Sequence, residues 1–371
     1  VTVKDYDVEV SANGTSGWTA VSNVVSIDAR IGQNYLLEPI QASTCTVVAR
    51  YPSGFATPNT LFLIGNYLRV TDPATTRLVW RGRVSDTRVD WGIPYVGGVG
   101  QGDQVTVTAE GALAEAGRTT LDLPPGTKSF SATESELAGE GLTVDFFYTT
   151  NEQIAYPLQD TDGLTFLQAV QQTYQMTALD GGGTIQMYAV DQIRTNTVNF
   201  SDTTNNATNQ VFDLFGFDSL AENYYTEALV TGEQADSGSP YTATATVGAK
   251  PYYSYSIDTY SPSVARTESL ADALVAVYST RGFDVNQVSC QSAAQASWAL
   301  DLGRPWWETP GTISNVAFRG TTYTVLVIGG TFSATPDGSR FTYNLAPRTY
   351  RNYLVLNDST FGKLDENRLG F

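Results

Sequence analysis

The chain has 371 residues, with 38 acidic against 21 basic side chains, a net charge of −17 and no histidine. The missing histidine excludes a Ser-His-Asp triad, a Cys-His dyad and any histidine-ligated zinc or iron site. The acidic balance argues against sequence-reading nucleic-acid binding, which needs a basic face.

Cys45 and Cys290 are the only cysteines, too far apart in sequence for a CxxC motif, and read as buried small apolar groups. No stretch approaches the roughly 18–20 apolar residues of a membrane helix. No charged-then-apolar leader is visible, and the start at Val1 reads as loss of an initiator methionine. The length predicts two or three domains of about 100–200 residues. At 42% hydrophobic and 16% charged the chain is globular, and its Thr, Tyr and Val content favours sheet.

The charge is unevenly spread. Residues 1–118 carry 11 acidic and nine basic side chains, net −2, and residues 266–371 carry nine of each. Residues 119–265 carry 18 acidic side chains and only three basic ones, Lys128, Arg194 and Lys250, net −15. Almost the whole acidic excess therefore sits in the middle segment.

In chain order, Val24–Ile31 alternates with period two, as a half-buried strand does. Further strands are expected at 43–50, 66–71, 77–84 and 105–109, with an Asp72-Pro73 turn between 66–71 and 77–84. Residues 1–120 thus read as an antiparallel β-domain. Residues 121–135, with Pro124-Pro125-Gly126, read as a linker or long loop.

A helix is expected over 162–179, with Leu164, Leu167, Val170 and Tyr174 near helical spacing. A cap at 160–162 starts it and Gly181-Gly-Gly183 stops it. A strand at 184–189 completes a helix-on-sheet unit. Strands follow at 223–231, 241–247 and 252–257. Ser261-Pro262 opens a second helix with the stripe Leu270, Leu274, Val277 and Tyr278. Strands near 312–319, 322–333 and 339–346 and an aromatic tail end the chain.

The candidate sites are few. Trp306-Trp307 with Trp298 reads as core or interface packing before it reads as a sugar platform. Asp160-Thr-Asp-Gly163 starts like a calcium loop, but Leu164 and Gln171 stand where ligands are required, so it reads as a helix cap. Gly97–Gly102 lacks the Lys-Ser/Thr of a phosphate loop and reads as a hairpin or loop. Carboxylate pairs for glycoside hydrolysis are a spatial property that spacing does not reveal. No cofactor is called for. The Tyr and Trp content keeps a carbohydrate-binding adhesin as an alternative.

Taken together, several segments resemble minor tail or baseplate-hub proteins of long-tailed phages, especially those infecting actinobacteria. They are Asn66-Tyr-Leu-Arg-Val-Thr71 with Leu78-Val-Trp-Arg-Gly-Arg-Val-Ser-Asp86, the helix, glycine turn and strand of 161–189, and the run 266–280 before Gly282-Phe-Asp-Val285. The ending Phe361-Gly-Lys-Leu-Asp-Glu-Asn-Arg-Leu-Gly-Phe371 is the fourth.

The resemblance implies a mainly β fold with α+β inserts: tube-like antiparallel β-barrel domains plus smaller helix-on-sheet domains. It places a tube-like domain at 1–120, an α+β insert at 121–230, and a second β-rich tube-like domain with one helix and a tail at 231–371. It implies a non-enzymatic structural protein of the virion tail tip, a trimeric hub joining tube to tip around the DNA channel. A hexameric distal-tail ring is the alternative within that class. The implied partners are further copies of itself, a tail-tube or distal-tail protein, the tape-measure protein and other tip proteins. DNA meets it only in passage, and no membrane anchor is implied. Trp306, Trp307, Phe361, Leu364, Leu369 and Phe371 are the expected assembly contacts.

Overall fold

The computed structural model describes residues 2–3, 5–35, 38–51, 61–92, 102–124, 126–148, 153–156, 161–189, 194–196, 199–203, 209–218, 224–232, 239–248, 250, 252–279, 284–293 and 306–347. The N-terminal part comprises β1 (Asp7–Ser11), β2 (Thr19–Ala20), β3 (Val24–Gly32), β4 (Thr44–Tyr51), β5 (Tyr67–Asp72), β6 (Arg77–Asp90) and β7 (Asp103–Glu110). These pair antiparallel in the order β3-β4-β7-β6-β5-β1-β2.

Alternation drives this pairing: Val105, Val107 and Ala109 of β7 point inward while Gln104, Thr106 and Thr108 do not. In β3 the expected alternation holds from Ile27 to Ile31. A register shift between Val24 and Ser26 breaks it and turns Val24 into the core.

An insert follows: α1 (Ala112–Ala116), β8 (Thr120–Leu121), β9 (Thr127–Ser129), α2 (Phe130–Gly139), β10 (Val144–Phe147), β11 (Gln153–Ala155), β12 (Thr161–Asp162), α3 (Gly163–Tyr174), β13 (Thr177–Leu179) and β14 (Ile185–Tyr188). The segment expected to be a linker thus holds β8, β9 and the start of α2. Ser129 caps α2 by accepting from Ala132 N, and Phe130, Thr133 and Leu137 bury its inner face.

Asp162 caps α3 as expected, accepting from Thr165 N at 2.9 Å. The helix ends earlier than the glycine run: Gln175 adopts a left-handed conformation (φ 49°), and Thr177–Leu179 leave to pair with β14. Leu113, Phe130, Phe146, Phe166, Leu167 and Val170 share one core.

β15 (Arg194–Thr195), β16 (Asn199–Ser201), β17 (Asn209–Val211) and β18 (Leu214–Asp218) lead to a second insert. It is a small sheet of β19 (Glu227–Gly232), β20 (Tyr241–Thr246) and β21 (Ser254–Thr259), covered by α4 (Val264–Tyr278). Its cap is Ser263, which accepts from Arg266 N, two residues beyond the expected Ser261. Its core is its own: Val230, Ile257, Leu270, Leu274 and Tyr278 lead it.

The chain then returns with β22 (Asp284–Ala293), a short 3-10 turn at Trp306–Glu308, β23 (Thr312–Phe318), β24 (Thr321–Thr335) and β25 (Gly338–Pro347). Cys290 lies within β22. Both cysteines are buried, and burial pushes the Cys290 thiol up to about 12.

β24 unites the two ends of the chain. One edge pairs with β25 from Val325 to Thr335, while the other pairs first with β23 and then, from Gly329 to Ala334, with β3. The switch occurs at Gly329, where a Cβ would lie 2.4 Å from Gln33 O, so no larger residue fits without moving backbone.

The result is one 15-stranded sheet with a continuous core. Among the described residues its pairings do not close into a ring. The segment 209–218 nevertheless pairs with β16 in its first part and with β22 in its second, bringing both ends of the C-terminal half to one strand path. The fold is mainly β, with helix-on-sheet inserts.

Candidate functional site

The first insert is joined to the main sheet through buried polar groups. β13 ends at Leu179, and the next residue, Asp180, is fully buried. Its carboxylate accepts from Ser43 N at 3.0 Å and from Leu113 N, in the first turn of α1, at 3.3 Å. Ser43 Oγ accepts from Trp80 Nε1 at 3.0 Å, and Ser43 O accepts from Gly111 N at 2.8 Å. A Cβ at Gly111 would sit 2.3 Å from both Asp180 Oδ2 and Ser43 Oγ, so glycine is required there.

Burial pushes the Asp180 carboxyl up to about 6, and the backbone donors of Ser43 and Leu113 pull against that rise. Arg81 N donates to Gly181 O at 2.6 Å, adding a backbone tie from β6. Such a joint, closed to solvent, fixes the insert's position.

Trp306 is buried and Trp307 half-buried. Trp306 is 3% exposed and packs edge-on against Phe341 and tilted against Phe332. Trp307 lies with its ring over Gly182 and its Cβ beside Gly181, on the seam of the first insert. The glycines read as a helix stop therefore seat an indole. Phe361, Leu364, Leu369 and Phe371 lie outside the described residues, as do Trp298, Asp160 and residues 97–101. Sequence reasoning missed Asp180 because its partners, Ser43 and Leu113, are 137 and 67 residues away.

Among the described residues no group of three or more Asp, Glu or Cys side chains is arranged to hold a metal ion. No helix among them is long and apolar enough to cross a membrane.

The sequence matches no protein-family model, and no curated protein matches it either. Solved structures do. A 43 kDa tail protein of prophage MuSo2 from Shewanella oneidensis matches with a TM-score of 0.63 at 11% identity, covering 93% of this chain and 99% of that one. A tail protein from Neisseria meningitidis MC58 matches with a TM-score of 0.64 at 13% identity, covering 92% and 96%. Prophage tail protein gp18 from Listeria monocytogenes EGD-e matches with a TM-score of 0.51 at 11% identity, covering 91% and 94%. The fold is that of phage tail proteins.

On this tail-protein fold the described carboxylates of the acidic middle segment lie mostly at or near the surface. Among its described carboxylates, Asp122, Glu140, Asp145, Asp213 and Asp258 are exposed, and Glu134, Glu136, Asp162, Asp202 and Glu227 are half-buried; Asp180 alone is buried. The balanced N-terminal part spends several of its charges on pairs and rings. Arg69 bonds Glu9 at 2.7 Å and stacks on Trp18, and Arg83 pairs with Glu115 at 2.6 Å.

Proposed function

We propose that this chain is a structural protein of a phage virion tail, acting at the tail tip as an oligomeric hub that joins the tube to the distal tip around the DNA channel. The observation that carries this reading is end-to-end correspondence. The chain and the Shewanella prophage tail protein cover 93% and 99% of each other. A fold shared over nearly the full length supports a shared architectural task more than a shared chemistry.

The chain needs no cofactor for such a role, and we read it as non-enzymatic. Its surface carboxylates suit a channel wall or an outer rim: in either place they repel phosphates and keep passing DNA from sticking. Further copies of the chain, the tail tube and the other tip proteins are its partners in this reading, and three copies form the ring.

Native mass spectrometry of the purified chain, with antibody labelling of intact virions, tests this. Oligomers and label at the distal end of the tail are expected. A stable monomer together with unlabelled tails would overturn the reading.

A further inference from the structure

The small sheet of the second insert has two outer strands, which meet different surroundings. β21 runs into Tyr260, whose N–H donates to Thr173 Oγ1 at 3.0 Å and whose carbonyl accepts from Ala155 N at 3.3 Å. That side is tied to α3 and β11. β20 pairs with β19 alone among the described residues.

Its register is unbroken over six residue pairs, and Val247 N extends the ladder by donating to Thr226 O at 2.9 Å. Hydrogen-bonded pairs alternate along an antiparallel ladder. Ala245, Ala243 and Tyr241 therefore turn their backbone groups toward β19. Thr242, Thr244 and Thr246 turn theirs to the open side, and their side chains are exposed.

Several other open edges among the described residues are blunted. At β10, Glu134 Oε1 accepts from the outward Phe146 N at 2.6 Å. A register shift at Gly216/Phe217 distorts β18. The far end of β6 carries Asp86, Arg88 and Asp90. β2 has two residues and β17 has three. β20 carries no charge, proline or bulge, and every outward position is a β-favouring threonine.

The surroundings also select by charge. Residues 224–279 contain six acidic side chains and two basic ones, Lys250 and Arg266, net −4. Arg266 turns inward, donating to Thr173 O at 3.2 Å and lying over the Tyr174 ring. Two such edges repel each other, while a positively charged strand is attracted.

We propose that the β20 edge is a docking site for an extended, positively charged segment of another protein chain, which adds a fourth strand through the backbone of Thr242, Thr244 and Thr246. The proposal rests on the assembly role argued above.

Hydrogen exchange of the isolated chain and of purified tails containing it tests this. The three threonine amides are expected to exchange freely in the isolated chain and at least about tenfold more slowly in tails. Equal exchange in both states would overturn the proposal, while tails shown by mass spectrometry to lack the chain would sink the assembly reading itself.

Thr244→Pro removes only an outward N–H, so it leaves the β19 ladder intact. It is expected to unfold at the wild-type temperature yet enter tails at least about tenfold less than Thr244→Val; entry at the wild-type level would contradict the proposal. Both native cysteines are buried, so Thr244→Cys gives a single cross-linking point. Capture of a basic segment is expected, and capture of an acidic one or of a second β20 would refute the charge assignment.

Discussion

The two inserts are built on the same plan, helix on sheet, yet they are attached in opposite ways. The first shares buried hydrogen bonds with the main sheet through Asp180, Ser43, Gly111 and Trp80. The second keeps its own small core of Val230, Ile257, Leu270 and Leu274, and touches the rest through Tyr260 and Arg266. The difference separates two tasks. A welded insert extends the rigid body. An insert with a private core and an open strand can present a surface without straining the sheet that carries it.

Breaking the weld gives the largest expected effect. Gly111→Ala pushes a methyl into Asp180 and Ser43 and is expected to cost about 3 kcal/mol of stability, read from denaturant unfolding. A loss below about 1 kcal/mol would mean that the joint is slack.

The next test uses pH. The Asp180 carboxyl stands at about 6 in the folded chain, above the roughly 3.9 of an unfolded aspartate. The folded state therefore holds an extra proton between these values, and the stability this contributes is present below about pH 4 and lost as pH rises through about 6. Wild type minus Asp180→Asn should differ by about 2–3 kcal/mol between pH 4 and pH 7.5. Parallel stability curves would show that Asp180 is not titrating as a buried acid.

The smallest effect belongs to the second insert. Ser263→Ala removes the cap of α4 at about 1 kcal/mol. Faster amide exchange is expected within 224–279 and unchanged exchange in β3, β4 and β7. Faster exchange in those strands too would show that the two regions unfold as one.

Period-two patterns made the strands of the main sheet legible, because each buries one face: β4, β5 and β7 lie within two residues of their expected bounds. The caps were legible as residue types but slid by two residues at Ser263, since the chain reaches its helical turn only after Pro262. α2 was hidden by the prolines before it and by a buried face of only Phe130, Thr133 and Leu137.

The end of α3 was misplaced because pairing of Thr177–Leu179 with β14 outweighs helix continuation, a non-local contest that periodicity cannot register. The joint and the β24 junction failed to show for the same reason: Asp180 meets Ser43, and Gly329 meets Gly32, only across the fold. The −15 segment was legible as charge, but whether it sheathes or lines a channel depends on neighbouring copies.

The most direct test of the tail-hub account is a cryo-EM reconstruction of the intact tail, with the 15-stranded sheet fitted into density. The account predicts a ring of three copies at the distal end of the tube, its sheets surrounding the axial channel. Density for the chain away from the tail axis, or none at the tip, would contradict it.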